Sequence, residues 1–311
     1  KKPLFIHPWL DCYNTWGKKY IENSLLDSDI DFDMICFQHL AMTLDKDEND
    51  FSLYLDNLNL MNKIKILFVL SEEQKNKIID YCPNLKCKII NIKHPIEINT
   101  DKQFNLNILS KPKINILHIG KHQRNVNSFY DNFNDNKFNK ILIGKNNNKK
   151  ENITYLKNLN NNDYINLITT SVVFVDLICS TANNLILECI KLNVPIIVNK
   201  LPSVAEYLGE DYPLFYQNIN DLKNLLSNHK MFIKKCESTH NYLAKKSKKE
   251  FSQNYFNNKI YSEISYITDV KVTFVTTCFN RFYQLEKTYL NNLKLYKNNK
   301  NVKFVLINFN G

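Results

Sequence analysis

One segment of the sequence combines polar side chains and a helix start in a spacing that suits anion binding. It runs from Cys179 to Asn199 and reads CSTANNLILECIKLNVPIIVN. The unpaired backbone N–H groups at the start of a helix bind anions such as a diphosphate. Glu188 lies further along this helix, and its carboxylate can accept two hydroxyl hydrogen bonds from a ribose. A solvated helix face explains the same polar residues, and the residues alone leave both interpretations open.

The apolar spacing in this segment predicts a helix over Ala182–Leu192, following a strand at Val172–Leu177. Ser180 or Thr181 is expected to cap its start, and Asn193 suits the left-handed residue that ends it. Five apolar residues at helical spacing predict a buried stripe: Ala182, Leu185, Ile186, Cys189 and Ile190. Three polar residues share the opposite face: Asn184, Glu188 and Lys191.

A second polar cluster, GKHQRN, follows the predicted strand at Ile114–Ile119. Its Arg124 is one of two arginines in the chain, and a planar guanidinium suits phosphate oxygens. If a diphosphate leaves in a reaction without a metal, its developing charge needs fixed cations of this kind. Lys121 and Lys145 are weaker candidates, because either lysine can belong to a solvated loop. We expect Arg124 and Glu188 to face solvent.

Composition excludes several classes of partner. The formal net charge is +10, but it comes almost entirely from lysine, so we expect no nucleic acid partner. No run of eighteen apolar residues exists, so no transmembrane segment is expected. The 8 cysteines form no CxxC pair, which predicts reduced thiols, a cytoplasmic location and no metal site. Because the chain starts at Lys1 without a methionine, we expect a fragment of a longer protein.

Strands and helices alternate along the chain, which predicts parallel sheets covered on both faces. The predicted elements of the first unit are Leu4–Ile6, Trp16–Leu26, Met34–Phe37, Phe51–Asn62, Lys65–Leu70, Glu72–Tyr81 and Lys88–Ile92. After a polar linker at 99–113, the predicted elements of the second unit are Ile114–Ile119, Asn125–Asn134, Lys140–Ile143, Asn161–Thr169, Val172–Leu177, Ala182–Leu192, Pro195–Val198, Ser203–Leu208, Asn220–Ser227 and Met231–Asn258.

The predicted fold class is therefore α/β. Two Rossmann-like, doubly wound parallel-sheet domains occupy residues 1–98 and 99–260, and a partial α/β segment occupies 261–311. Ligands of open α/β sheets bind at the carboxyl ends of the strands, so the cleft between the two units is the expected site.

The stretch ANNLILECIKLNVPIIVNKLPSVAEYLGEDYPLFY resembles the donor-binding segment of GT-B glycosyltransferases related to family 4. The resemblance implies that Glu188 holds the ribose of a nucleotide-sugar donor. Ser180 stands where the family has an earlier glutamate, so Asn183 and Asn184 are the candidates to replace that group. Glu206 resembles the glutamate of a Pro-Glu loop that closes the donor site.

The resemblance continues at ILHIGKHQRN, where family members place a glycine and basic side chains against the donor phosphates. It implies donor contacts by Gly120, Lys121 and Arg124, with Lys145 a further basic candidate. It covers the second unit from about residue 114 to residue 217 and is thinner in the first unit.

The first unit is similar to the acceptor domain of these enzymes. His7, Trp9 and Trp16 follow the first strand, where the acceptor approaches in the family. An exposed tryptophan stacks on a sugar face, although a core tryptophan is equally common. His7, His39 and His118 are candidates for proton transfer, with the alternative that each is a packed histidine beside an apolar strand.

The third segment resembles another family. VTFVTTCFNRFYQLEKTYLNNL and VKFVLINFNG look like the opening of a family 2, GT-A glycosyltransferase domain. A generic strand-helix-strand unit is the alternative. The family's metal-binding Asp-x-Asp motif does not occur in this segment, so we expect the segment alone to be inactive.

The residues and the resemblance together predict a glycosyltransferase that moves a sugar from a nucleotide-sugar donor to a carbohydrate, glycoprotein or glycolipid acceptor. It uses no cofactor and no metal in this prediction, and the resemblance favours retention of configuration. Two alternatives stay open: a non-catalytic nucleotide-sugar-binding module, and a sugar-nucleotide epimerase. All three depend on the helix start after residue 181 facing the cleft between the units.

Overall fold

A computed structural model describes residues 4–7, 10–11, 26, 31–42, 53–144 and 150–264, with the backbone of the strands at 272–278 and 302–308. Trp9, Trp16, Lys145 and nearly all of the predicted helix at Trp16–Leu26 lie outside the described residues. Within them the chain is α/β with two parallel sheets, which confirms the predicted pair of Rossmann-like units.

The first sheet contains four parallel strands from the first unit, and they are β1 Leu4–His7, β2 Asp33–Gln38, β3 Ile64–Val69 and β4 Lys88–Asn91. Its described helices are α1 Leu58–Lys63 and α2 Glu72–Tyr81. A single helix was predicted over Phe51–Asn62. It is instead a 3-10 helix at Leu53–Asp56 followed by α1, because Asn57 caps a new start by accepting from the Leu60 amide at 3.0 Å.

Two later strands extend this first sheet. They are β11 Val272–Cys278 and β12 Val302–Asn308, and the strand order is β12-β11-β1-β2-β3-β4. The pairing runs through Leu4 of β1 and Val272 of β11. The structure therefore places both strands in the first sheet and not in a sheet of their own. The resemblance of this segment to a family 2 domain stays a prediction from sequence.

The strands of the second sheet are β5 Ile114–Ile119, β6 Phe138–Ile143, β7 Ile153–Leu156, β8 Val172–Val175, β9 Ile196–Asn199 and β10 Phe215–Tyr216. Their order in the sheet is β10-β9-β8-β5-β6-β7. Its helices are α3 Val126–Asp131, α4 Asn161–Thr169, α5 Asn184–Leu192, α6 Pro202–Leu208, α7 Ile219–Ser227 and α8 His229–Lys245. The predicted linker contains a 3-10 helix at Leu106–Ser110, and three apolar residues anchor it in the second core: Phe104, Ile108 and Leu109.

The last helix returns to the first unit. One helix was predicted over Met231–Asn258, but α8 ends at Lys245 and is followed by a 3-10 helix at Lys249–Phe251 and by α9 Gln253–Ile264. The break lets Phe251 bury itself in the second core, at 1% exposure. Three residues of α9 pack against the core of the first sheet: Phe256, Ile260 and Ile264. The chain thus crosses between the two units a second time.

The described cysteines are free thiols, and four of them are buried: Cys36, Cys87, Cys189 and Cys236. Burial raises the pKa of the Cys36 thiol and that of the Cys189 thiol. These thiols therefore act as small apolar residues of the two cores.

Candidate functional site

The start of α5 lies beside the first unit. Asn183 caps the helix, because its side-chain oxygen accepts from the Leu185 amide at 3.0 Å. Ser180 or Thr181 was predicted as the cap, which is wrong. The Thr181 hydroxyl instead donates to the His39 carbonyl of the first unit at 2.5 Å. The left-handed residue at the end of α5 is Asn193, with a φ of 54°, as predicted.

The turn after β5 is held against the loop after β8 by main-chain hydrogen bonds. The Asn125 amide donates to the Asp176 carbonyl at 2.8 Å, and the Ile178 amide donates to the Gln123 carbonyl at 3.0 Å. Gln123 has a φ of 53°, so the turn reverses sharply before α3. This pairing brings the side chain of Arg124 towards the start of α5.

The Arg124 guanidinium packs over Gly120 and next to the helix cap. Its Nη2 lies 3.5 Å from the Asn183 side-chain oxygen. Gly120 has a φ of 71°, which favours glycine, and a Cβ on it would lie 2.9 Å from Nη1 of Arg124, so the guanidinium would have to shift. The buried Nε of Arg124 has no hydrogen-bond partner. Burial lowers the pKa of Arg124, and the nearby Tyr164 and Glu188 oppose that shift.

Glu188 lies on α5 and binds α4. The Tyr164 hydroxyl donates to its Oε2 atom. Burial raises the pKa of Glu188, while the Tyr164 hydrogen bond and the charge of Arg124 lower it. We expected Glu188 and Arg124 to face solvent, but both are half-buried, because α4 and the turn after β5 cover this part of α5. No local pattern links Tyr164 to Glu188, so sequence reasoning missed Tyr164.

Two of the remaining donor candidates in the second unit, Lys121 and Asn184, lie at the edge of this site and are exposed. Asn184 is the first residue of α5 and directly follows the cap. Lys121 lies in the turn after β5, where its carbonyl accepts from the Arg124 amide at 3.2 Å.

Glu206 is engaged by the first unit. It lies on α6, and its carboxylate accepts from Lys93 Nζ at 2.5 Å, from Asn91 Nδ2 at 2.6 Å and from the Glu72 amide at 2.7 Å. The Glu72 amide belongs to the start of α2, where a carboxylate is favoured. Glu206 therefore joins the two units, in a position that the Pro-Glu loop resemblance did not indicate.

Replacing Glu206 with glutamine is expected to lower the free energy of unfolding by about 2 kcal/mol, because it leaves a largely buried lysine without its counter-charge. The Lys93 side chain is 14% exposed. The matched control is Glu210→Gln, whose partner Lys200 is 2.8 Å away and whose own side chain is 73% exposed. Urea unfolding should show a loss below about 0.5 kcal/mol for the control. Equal losses of unfolding free energy in both variants would show that Glu206 and Lys93 form an ordinary surface ion pair.

The first unit contributes an aspartate and a histidine near the start of α5. The buried Asp11 carboxylate accepts from the amides of His39 and Leu40, both at 2.9 Å. The His39 ring is 3.4 Å from Asp11 through Nδ1, and its side chain is 32% exposed. Because the Thr181 hydroxyl binds the His39 carbonyl, this histidine lies where the two units touch.

His94 is a second histidine at this contact. Its ring lies edge-on to the His39 ring at a centroid distance of 6.5 Å, and its amide donates to the Tyr207 hydroxyl at 3.1 Å. Burial lowers the pKa of His94. Sequence reasoning did not select Asp11 or His94 as site residues. Their positions beyond β1 and β4, at the carboxyl edge of a parallel sheet, were the available signal.

His118 lies inside the second unit. It is 0% exposed, with Nδ1 at 3.1 Å from the Phe174 carbonyl and Nε2 at 2.9 Å from the Gly120 carbonyl. His118 is therefore buried and bound to the Gly120 carbonyl, so it helps to hold the turn after β5 in place. His7, the other candidate for catalysis, is half-buried at the end of β1, and burial lowers its pKa.

Comparisons with known proteins bear on the fold. Neither a scan against protein-family models nor a search of curated proteins gives a match. Solved structures do match. A sucrose-phosphate synthase from Thermosynechococcus elongatus aligns with 86% of this chain and 74% of its own, with a TM-score of 0.61 and 9% identity. HepE from Anabaena, in complex with UDP-glucose, aligns with 75% and 72%, with a TM-score of 0.59 and 14% identity.

A trehalose-6-phosphate synthase, studied for glycosyl transfer with retention, aligns with 86% of this chain and 74% of its own, with a TM-score of 0.61 and 11% identity. The chain has the GT-B fold. In this GT-B fold the Arg124 turn and the start of α5 belong to the second unit, and the His39 segment of the first unit touches that start. Among the described residues, no helix is long and apolar enough to cross a membrane, and no group of three acidic, histidine or cysteine side chains is arranged to hold a metal ion.

Proposed function

We propose that this chain is a glycosyltransferase that uses a nucleotide-sugar donor bound by the second unit. The observation that carries the proposal is the half-buried Arg124, whose Nε has no partner and whose Nη2 lies 3.5 Å from the cap of α5. A cation held beside a helix start forms a site for a diphosphate. The likeness to HepE, which is complexed with UDP-glucose, supports a donor of this class.

In the proposed site the diphosphate lies between Arg124 and the first amides of α5. Gly120 allows the diphosphate to approach the backbone closely. Lys121 and Asn184 contact the donor at the exposed edge of the site, and we propose that Lys145 contacts it as well. Glu188 accepts from the donor ribose. The departing diphosphate is stabilised by these fixed groups, and the transfer proceeds without a metal and with retention.

The acceptor, a carbohydrate or a glycoprotein or glycolipid, approaches from the first unit in this proposal. His39 and His94 lie at the contact between the units and are positioned to bind sugar hydroxyls. Glu206 keeps the two units together through Lys93 and does not itself contact the donor. We also propose that the reaction takes place in the cytoplasm.

A thermal-shift screen against UDP-, GDP-, ADP- and CMP-linked sugars tests donor binding. A nucleotide sugar at about 100 times its dissociation constant should stabilise the chain by about 2.7 kcal/mol. Glu188→Ala should remove most of that shift, because it deletes the acceptor for the ribose. The control is Glu237→Ala, an exposed glutamate on α8, which should respond as the native chain does. If none of the four classes shifts the native chain, the proposal fails.

A non-catalytic donor-binding module is the second candidate, favoured by the serine at position 180. The family to which the sequence is similar has a glutamate there, and here the Ser180 carbonyl accepts from the Ser203 hydroxyl at 2.7 Å. Release of free nucleoside diphosphate from the donor, with water or a panel of sugar acceptors, distinguishes the candidates. Release supports the transferase and argues against an epimerase, whereas tight binding without release supports the module.

A further inference from the structure

The contact between Tyr164 and Glu188 joins two helices at the proposed donor site. Tyr164 lies on α4 and Glu188 on α5, and the tyrosine hydroxyl donates to Oε2 of the glutamate. We propose that Tyr164 is a positioning residue, which holds the Glu188 carboxylate ionised and leaves Oε1 to accept a ribose hydroxyl. This inference rests on the proposed function, because the ribose belongs to the donor.

The direction of this hydrogen bond follows from the surroundings of Tyr164. Burial and the adjacent Glu188 raise the pKa of Tyr164, so its hydroxyl keeps its proton and acts as the donor. An ionised carboxylate has no proton to donate, so Glu188 acts as the acceptor. α4 holds the tyrosine in place, because Asn160 caps this helix and its carbonyl accepts from the Tyr164 amide at 3.0 Å.

The charge on Glu188 depends on few neighbours. Burial raises its pKa, and two groups oppose that effect: Tyr164 from α4 and Arg124 from the turn after β5. Two titratable residues lie near it on α5 itself: Cys189, which burial keeps a neutral thiol, and Lys191, three residues further along the helix. Without the Tyr164 hydroxyl, only Arg124 opposes the rise that burial causes in the pKa of Glu188. The Glu188 carboxylate would then take up a proton at a higher pH than in the native chain.

Binding of UDP, GDP, ADP and CMP, measured by calorimetry at pH 6 and pH 8, tests the inference. Tyr164→Phe should bind the preferred nucleotide about threefold more weakly than the native chain at pH 8, and about tenfold more weakly at pH 6. The native chain measured at both pH values accounts for titration of the phosphate itself. In a Glu188→Gln background, adding Tyr164→Phe should change affinity by less than about twofold, because Tyr164 acts through the carboxylate.

A second measurement needs no ligand. The carboxyl carbon of Glu188, followed by NMR, should titrate at a higher pH in Tyr164→Phe than in the native chain. The matched control is Tyr242→Phe, which loses a hydroxyl that donates to the Leu208 carbonyl at 2.9 Å and leaves Glu188 untouched.

The outcomes separate the two proposals. If the native chain binds one of the four nucleotides but Tyr164→Phe behaves as Tyr242→Phe does, the positioning role is overturned and the donor site stands. If the Glu188 titration shifts as expected but the native chain binds none of the four nucleotides, the contact is structural and the ribose role is overturned. Equal losses at both pH values, with no change in the Glu188 titration, would also overturn the inference.

Discussion

Arg124→Met should weaken nucleoside-diphosphate binding by about 100-fold, equivalent to about 2.7 kcal/mol, since two charge-assisted hydrogen bonds are lost. The same change should leave the free energy of unfolding of the unliganded chain within about 1 kcal/mol of native. The guanidinium is half-buried, its Nε has no partner, and burial lowers its pKa, so its charge is poorly compensated before a ligand binds. Methionine removes that unfavourable charge, and this gain offsets the lost attraction to Glu188.

Calorimetric titration with the nucleotide selected by the donor screen, together with urea unfolding, measures both quantities. Lys137→Met is the control, because the Lys137 side chain is 44% exposed, pairs with Asp135 at 3.5 Å and precedes β6 at the amino edge of the sheet. It removes one positive charge as Arg124→Met does, so a general charge effect would appear in both variants. Native affinity in Arg124→Met would remove the observation on which the transferase proposal depends.

The sequence predicted several elements to the residue, and local caps explain why. α2 and α4 have the predicted limits, because Ser71 and Asn160 accept from the amides of Gln74 and Asp163 and define each start. β5 was also predicted correctly as Ile114–Ile119, since an apolar run between a lysine and a glycine has few other interpretations. These signals depend on neighbouring residues only, so the limits of the elements can be predicted without any tertiary information.

Other features needed contacts between distant residues. Thr181 is a good cap by type, but its hydroxyl binds the His39 carbonyl, and Asn183 caps α5 instead. β7 Ile153–Leu156 was not predicted, because four residues after a lysine- and asparagine-rich loop give little periodicity. Its place at the sheet edge comes from pairing with β6.

The candidate site shows the same division. Sequence reasoning chose Arg124, Asn183 and Glu188 from two segments, and the structure brings Arg124 to Asn183. Helical periodicity identified the polar face of α5 but not what lies across from it. The cover supplied by Tyr164 depends on how α4 packs against α5 within the second unit, and the engagement of Glu206 by Lys93 depends on how the two units meet. For that reason the predicted solvent exposure of Glu188 was wrong.

The pH dependence of stability should reveal His118, which holds the same turn as Arg124. Two effects oppose each other at this buried imidazole. Burial and the nearby Arg124 lower its pKa, while the Gly120 and Phe174 carbonyls raise it, and the result is a pKa of about 4 against 6.5 for an exposed histidine. Between these values the unfolded chain binds the additional proton. Stability is therefore fully present above pH 6.5 and falls as the pH drops towards 4, by about 3 kcal/mol.

Urea unfolding gives the free energy of unfolding of the native chain and of His118→Gln at steps from pH 7 to pH 4. The difference between the two slopes of this free energy against pH isolates the contribution of His118. His122→Gln, at an exposed position in the same turn, should retain the native slope. NMR titration of the His118 ring reads the pKa directly. If the native chain instead gains stability relative to His118→Gln as the pH falls, the two carbonyls outweigh burial and His118 is an imidazolium ion. A second fixed cation would then lie behind Gly120, and the site for the diphosphate would carry more positive charge than Arg124 alone provides.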